Sequence, residues 1–270
     1  MSNIAAEIIL HPKVNQTLAV LATTVGRDKV TRLLQYLARL LAWSLLRRGN
    51  VEEAARWNGL KGGLANGRKV MRLFRPAEFL QSAINLAQRP VTTLKGPAQV
   101  AHIAQIGRQI GYAGFHTTDM ITWLSSIRFL KYDKLKTDRI QRLMYKFWFA
   151  GVLSSLISSI ASLLRLRADS RRFALSTELA KREEKEGKDL ETASKDASDR
   201  RERGRALLAQ RETIISQILS DSLDIWIPAT GLGLANLSDG TLGVFGVVTS
   251  CMGVQAQWNK HSAAGVRKTK

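Results

Sequence analysis

Between Asp239 and Lys260 the chain runs for 20 residues, 240–259, without a charged side chain, and no other feature restricts the fold as tightly. At 1.5 Å per helical residue, about 20 apolar residues match a bilayer core about 30 Å thick. Gly243, Gly246 and Gly253 weaken a soluble helix but allow close helix approach in lipid. Trp258 next to Lys260 suits a membrane–water boundary. The run therefore predicts a C-terminal membrane segment, with Gly243, Gly246, Gly253 and Trp258 serving anchoring and helix packing. A loose soluble hairpin is the alternative that the glycines leave open.

A second run, Arg27 to Arg48, reads RDKVTRLLQYLARLLAWSLLRR, free of proline and glycine and rich in strong helix formers. At 100° per residue, Val30, Leu33, Leu34, Leu37, Leu40 and Leu41 share an arc of about 120°. Lys29, Arg32, Gln35, Tyr36, Arg39 and Trp43 lie opposite. Two uses fit this stripe. The helix lies in the headgroup layer of an anionic membrane, its leucine arc in the lipid and Lys29, Arg32 and Arg39 on the phosphates, or it covers the core of a bundle with its leucines inward.

Three further apolar stretches bear on membrane contact. Residues 147–164, FWFAGVLSSLISSIASLL, are uncharged between Lys146 and Arg165, with serines at 154, 155, 158, 159 and 162 on one stripe. That stripe is a packing face in lipid or the polar side of a buried or surface helix. Residues 109–127 contain Asp119, which costs about 2.5–3.5 kcal/mol at the centre of a spanning helix, so this stretch is expected to pack on protein or lie at the surface. Residues 225–238 are too short to cross and long enough for a membrane-dipping half-helix.

Charge adds a partner class. The chain has 41 Lys and Arg against 22 Asp and Glu, a net +19, which calls for nucleic acid or an anionic membrane face. Residues 171–213 are dense in both signs and read as a solvated helix or partly disordered linker. Three consecutive regions follow: 1–170, helical, amphipathic and membrane-associated; 171–213, the charged linker; and 214–270, the C-terminal membrane segment with a basic tail. The expected fold is all-α. Residues 1–10 lack a basic n-region, and the final Lys268-Thr269-Lys270 is not a Ser-Lys-Leu address, so secretion and import through that tail are not expected.

Catalytic groupings are not apparent. His11, His102, His116 and His261 are scattered without metal-ligand spacing, and the single Cys251 excludes an internal disulfide and a multi-cysteine zinc site. Gly62 to Lys69 imitates a phosphate loop but has Arg68 where the lysine belongs, and no Ser or Thr follows to hold magnesium. Lys69, Arg72 and Arg75 there suit a solvated face or phosphate contacts. Asp221 and Asp224 read as a helix-start feature. Neither an enzyme, a metal nor a cofactor is expected.

Several segments are familiar together. Gly26-Arg27-Asp28-Lys29-Val30 with Arg32-Leu33-Leu34-Gln35-Tyr36 resembles the N-terminal signature of the peroxin-11 family of peroxisomal membrane proteins. Arg68-Lys69-Val70-Met71-Arg72-Leu73-Phe74-Arg75 is similar to its second basic-aromatic block. Asp119 to Leu124 is similar to its mid-chain segment, and 240–253 to its hydrophobic C-terminal segment. The resemblance implies a peroxisomal membrane protein that elongates peroxisomes before division by inserting an amphipathic helix, mapped onto Arg27 to Arg48. It also implies self-association and cooperation with a fission machinery that includes a dynamin-type GTPase. A pore for small metabolites, lined by the serines of 154–162, is the alternative it allows. A soluble basic helical nucleic-acid binder is a third class, which the uncharged 240–259 run disfavours.

Overall fold

A computed structural model describes residue 7, residues 9–185 and residues 190–268. Its elements are all helical, as expected: α1 (Pro12–Leu21), α2 (Thr24–Arg47), α3 (Val51–Met71), α4 (Arg75–Ala87), a 3-10 turn (Val91–Thr93), α5 (Pro97–Ser126), α6 (Lys134–Lys185), α7 (Leu190–Asp224), α8 (Trp226–Leu232) and α9 (Asp239–Lys268). The charged block 171–213 is helical wherever it is described, forming the end of α6 and most of α7. Residues 186–189 of that block lie outside the described residues, as do the last two residues of the basic tail.

These helices build two compact units that cut across the three consecutive regions expected from composition. One unit joins Met1–Ala77, Ala113–Trp148 and Leu223–Lys270, and the other joins Glu78–Tyr112 and Phe149–Ser222. Composition along the chain does not register such pairings, because partners such as Arg32 and Asp224 stand 192 positions apart.

In the first unit α2 packs along α3 and α9, and α1 lies against both α2 and α9. The Thr23 hydroxyl starts α2 by accepting the Gly26 amide at 3.0 Å, which supplies one of the helix's otherwise orphan donors with a partner. Gly49 ends the connection to α3 with φ +80°, a backbone angle that side chains with a Cβ resist. The α2–α9 contact depends on small residues. A Cβ at Gly246 would sit 2.0 Å from the Tyr36 ring, so only glycine lets the two helices meet there. Tyr36, Ile227 and Leu242 form the core cluster, with Trp148, Leu237 and Val247 packed against it.

The second unit uses the same device between α5 and α6. A Cβ on Gly151 would lie 3.3 Å from the backbone of Gly111, and one on Gly107 would lie 3.1 Å from the Ser154 hydroxyl. Ser158 donates to the Ala101 carbonyl at 3.0 Å, while Ser155 donates to the buried Asp221 carboxylate, which also accepts from Gln217 at 2.9 Å. The serine stripe thus faces protein. Leu153, Ile157, Ile160 and Leu164 on the other side of α6 are exposed.

Among the described residues one helix is long and apolar enough to cross a membrane, Lys134–Ala180 within α6, with mean hydropathy 1.8 over its most apolar window. The 240–259 run, expected to be the membrane segment, falls short of that measure because its glycines, glutamines and hydroxyl residues dilute its hydropathy. It forms the body of α9. Gly243 faces Leu40, Gly246 faces Tyr36 and Gly253 faces the Lys29 stem, so all three glycines lie against α2. Half-buried Trp258 offers its carbonyl to Gln16 at 3.1 Å.

Candidate membrane-contact surface and its polar backing

The most informative property of α2 is which side it buries. Asp28, Arg32 and Tyr36 are buried, and Lys29, Gln35, Arg39 and Trp43 are half-buried on the same side. On the opposite side Leu34 is 49 % exposed and Leu41 is 40 % exposed, with Val30, Leu33 and Leu37 half-buried beside them, while Leu40, at the edge of the arc, packs on Gly243 of α9. The headgroup-layer alternative turns the leucine arc outward, but neither alternative places the polar face against protein. The leucine arc does not cover the bundle core, and the polar face is not turned to lipid headgroups.

Each buried charge on α2 has a defined partner. Arg32, 8 % exposed, pairs with Asp224 at 2.7 Å, and Thr249 donates to the same carboxylate oxygen at 2.7 Å. Burial opposes the Arg32 charge, but Asp224 outweighs it and holds the guanidinium firmly protonated. Asp28 pairs with Arg68 at 2.9 Å, and Arg68 also donates to Gln35 at 2.8 Å. Burial works against the Asp28 carboxylate, yet Arg68 and Arg72 outweigh it and leave its pKa below the ordinary carboxylate value. A neighbouring set unites Arg72 with Asp119 at 2.8 Å, Lys69 with Asp119 at 3.6 Å, and Lys69 with the Thr122 hydroxyl at 3.0 Å.

Three residues expected to hold lipid phosphates are therefore engaged within the protein. Arg32 is committed to Asp224, and Arg39 pairs with Asp239 at 2.6 Å. Lys29 packs its stem on Gly253, and burial together with the nearby Arg32 pushes its pKa down to about 8. The reason is that a cation placed among apolar helices is stable only beside a carboxylate, and α9 and the end of α7 supply those carboxylates. Arg27, Arg47 and Arg48 are the exposed cations of α2 and its C-cap. They sit at its two ends, flanking the exposed leucines.

Sequence reasoning also missed the partners of Asp119. An acid inside an apolar stretch requires a cation nearby, and the block around Arg72, expected to be solvated or phosphate-bound, provides two. His116, buried beside Arg72 and Arg75, is held neutral, its pKa lowered to about 3 by burial first and then by those arginines. Among the described residues no group of three metal-ligating side chains converges.

Buried polar and charged groups combined with exposed leucine and isoleucine faces reverse the usual arrangement of a water-soluble bundle. With one helix among the described residues long and apolar enough to span, the arrangement suits an all-helical membrane protein. The sequence matches the model of the family described as peroxisomal biogenesis factor 11 over residues 14–258. The chain belongs to that family. It is similar to the peroxisomal membrane protein PMP30A of Candida boidinii, 26 % identical over 260 residues that cover 95 % of this chain and 98 % of that protein. It is also similar to PMP27 of Saccharomyces cerevisiae, at 25 % identity over 93 % and 97 % of the two chains. Peroxisomal biogenesis factor 11 of Schizosaccharomyces pombe is 23 % identical over 94 % and 98 %. No solved structure matches. The protein is a peroxisomal membrane protein, as the sequence motifs implied.

Proposed function

We propose that this protein elongates the peroxisomal membrane ahead of division, with the leucine face of α2 acting as the wedge. The observation that carries the reading is the orientation of α2, with Leu34 and Leu41 outward and the Arg32–Asp224 and Asp28–Arg68 pairs behind them. Outward leucines inserted about 5–10 Å into one leaflet enlarge its area relative to the other, and curvature follows. Arg27, Arg47 and Arg48 take the phosphate contacts at the helix ends, replacing the inward Lys29, Arg32 and Arg39. The fixed backing matters mechanically, because a wedge held rigidly against α3 and α9 transmits its area to the bilayer. The work is non-enzymatic in this reading. Self-association, and cooperation with fission machinery including a dynamin-type GTPase, complete the proposal on the strength of the family resemblance.

The full chain reconstituted on vesicles of phosphatidylcholine and phosphatidylserine tests it. The parent is expected to draw tubules, and the double variant Leu34→Glu/Leu41→Glu to reduce tubule formation by about tenfold or more, because two carboxylates placed in the lipid layer oppose insertion. Equal tubulation by a folded double variant would falsify the wedge. In cells the same variant is expected to leave peroxisomes short and few.

A further inference from the structure

Within the second unit, α6 and α7 enclose a groove of about 640 Å³, within the size range of small-ligand sites. Leu163, Leu166, Leu207, Leu208 and Phe173 line its apolar floor. Gly204 lies at that floor, where a Cβ would make only ordinary van der Waals contact with the Phe173 ring at 3.6 Å and a longer side chain would enter the groove. Arg167, Arg171 and Arg211 form the polar rim. Among the described residues none of these three arginines has a carboxylate within ion-pair distance, whereas their neighbour Arg165 is paired with Asp169. Arg203 is likewise occupied, lying over the Phe173 ring at 5.7 Å.

Position selects the occupant. The groove starts at Leu163, inside the last turn of the uncharged 147–164 run, so a helix spanning with that run brings these arginines out just beyond the hydrocarbon. Lipid phosphates lie at that depth. Guanidinium groups are suited to planar bidentate contact with phosphate oxygens, and Arg167 and Arg171, four residues apart on one helix face, line the same groove as Arg211. An apolar floor leading to three cations without an ion-pair partner among the described residues complements a molecule with a hydrocarbon part and an anionic phosphate head.

We propose that this groove binds one anionic phospholipid, its phosphate on Arg167, Arg171 and Arg211 and its upper acyl chain on the leucine floor. The site is separate from the α2 surface and does not depend on the wedge reading. It makes the second unit a stoichiometric lipid receptor.

Calorimetric titration of the detergent-solubilised full chain tests this with three probes: short-chain phosphatidic acid, short-chain phosphatidylcholine and inorganic phosphate. Saturable one-to-one binding of phosphatidic acid is expected, about tenfold or more tighter than either of the others. Two variants are expected to weaken it by about tenfold by different routes. Arg167→Gln/Arg171→Gln/Arg211→Gln removes the head contacts. Gly204→Leu fills the floor while leaving the arginines in place, and Gly204→Ala, which adds only an ordinary van der Waals contact, retains binding. Helical circular dichroism verifies folding, and the single surface change Arg211→Gln serves if the triple variant loses it. Absence of saturable binding, equal affinity for phosphatidylcholine, equal affinity for phosphate alone, or indifference to both Arg211→Gln and Gly204→Leu would each overturn the proposal. Tubulation by the parent together with failed titration would reject the groove and keep the wedge.

Discussion

Replacing Arg32 with Ala is expected to cost about 3 kcal/mol of stability, because it strands the half-buried Asp224 carboxylate without its guanidinium partner. Thr249, through its 2.7 Å hydrogen bond, and the nearby Lys29 charge then remain beside that carboxylate. The pair itself need not stabilise the fold by that amount, since desolvation of both ions offsets much of their attraction. The double variant Arg32→Leu/Asp224→Leu is therefore expected to recover most of the loss. The contrast is Arg56, whose pairs with Glu52 and Glu53 at 2.8 Å are solvent-exposed. Arg56→Ala is expected to change stability by less than about 1 kcal/mol. Thermal unfolding in detergent, followed by circular dichroism, measures all three. A loss at Arg32→Ala no larger than at Arg56→Ala would contradict the buried network.

Acidification is expected to produce the second large effect, through His116. Its pKa in the folded chain is about 3, against the ordinary 6.5. Between those values the unfolded chain binds more protons than the folded one, so stability rises with pH across the window and falls as pH is lowered through it. The stabilising difference is fully present above about 6.5 and lost progressively toward 3, with a maximum on the order of 5 kcal/mol. Burial sets the direction first, Arg72, Arg75 and Arg68 add to it by opposing an imidazolium, and Asp28 only partly compensates. Asp28, with its own pKa lowered, adds acid sensitivity at the bottom of the range and not near neutrality. Unfolding midpoints of the parent and of His116→Gln, measured from pH 7 to pH 4, provide the comparison. The parent is expected to lose stability steeply and the variant to show a flatter profile. Parallel profiles would show that His116 titrates normally in the folded chain.

The helical content was legible in the sequence because it rests on local signals: leucine, arginine and alanine at helical spacing, and few prolines. The family was legible because its motifs are short contiguous blocks, such as Gly26 to Tyr36. The direction of α2 was not. Periodicity divides a helix into two faces and does not say which face meets protein, and in a membrane protein the usual assignment is reversed. It is the family resemblance that assigns Leu34 and Leu41 to lipid, since the stripe alone also fits a bundle core, and the decisive facts lie far along the chain at Asp224, Asp239 and Gly246. The same limit explains the membrane segment. An uncharged count marked 240–259, yet its glycines serve contacts with Leu40, Tyr36 and Lys29, while the more apolar 147–164 run in α6 exposes Leu153, Ile157, Ile160 and Leu164. Asp119 was readable in part, as a carboxylate that had to find a cation. That Lys69 and Arg72 would be those cations required the fold.

Depth measurement on α2 addresses the central claim most directly. Nitroxide labels at positions 34 and 41 of the full chain, in vesicles of phosphatidylcholine and phosphatidylserine, report collisions with oxygen and with a water-soluble nickel chelate. A label at Glu52, solvent-exposed in α3, gives the aqueous reference. Leu34 and Leu41 in the lipid predict high oxygen and low nickel accessibility at both positions and the reverse at position 52. Nickel accessibility at 34 and 41 equal to that at 52 would place the leucine face in water and contradict the account.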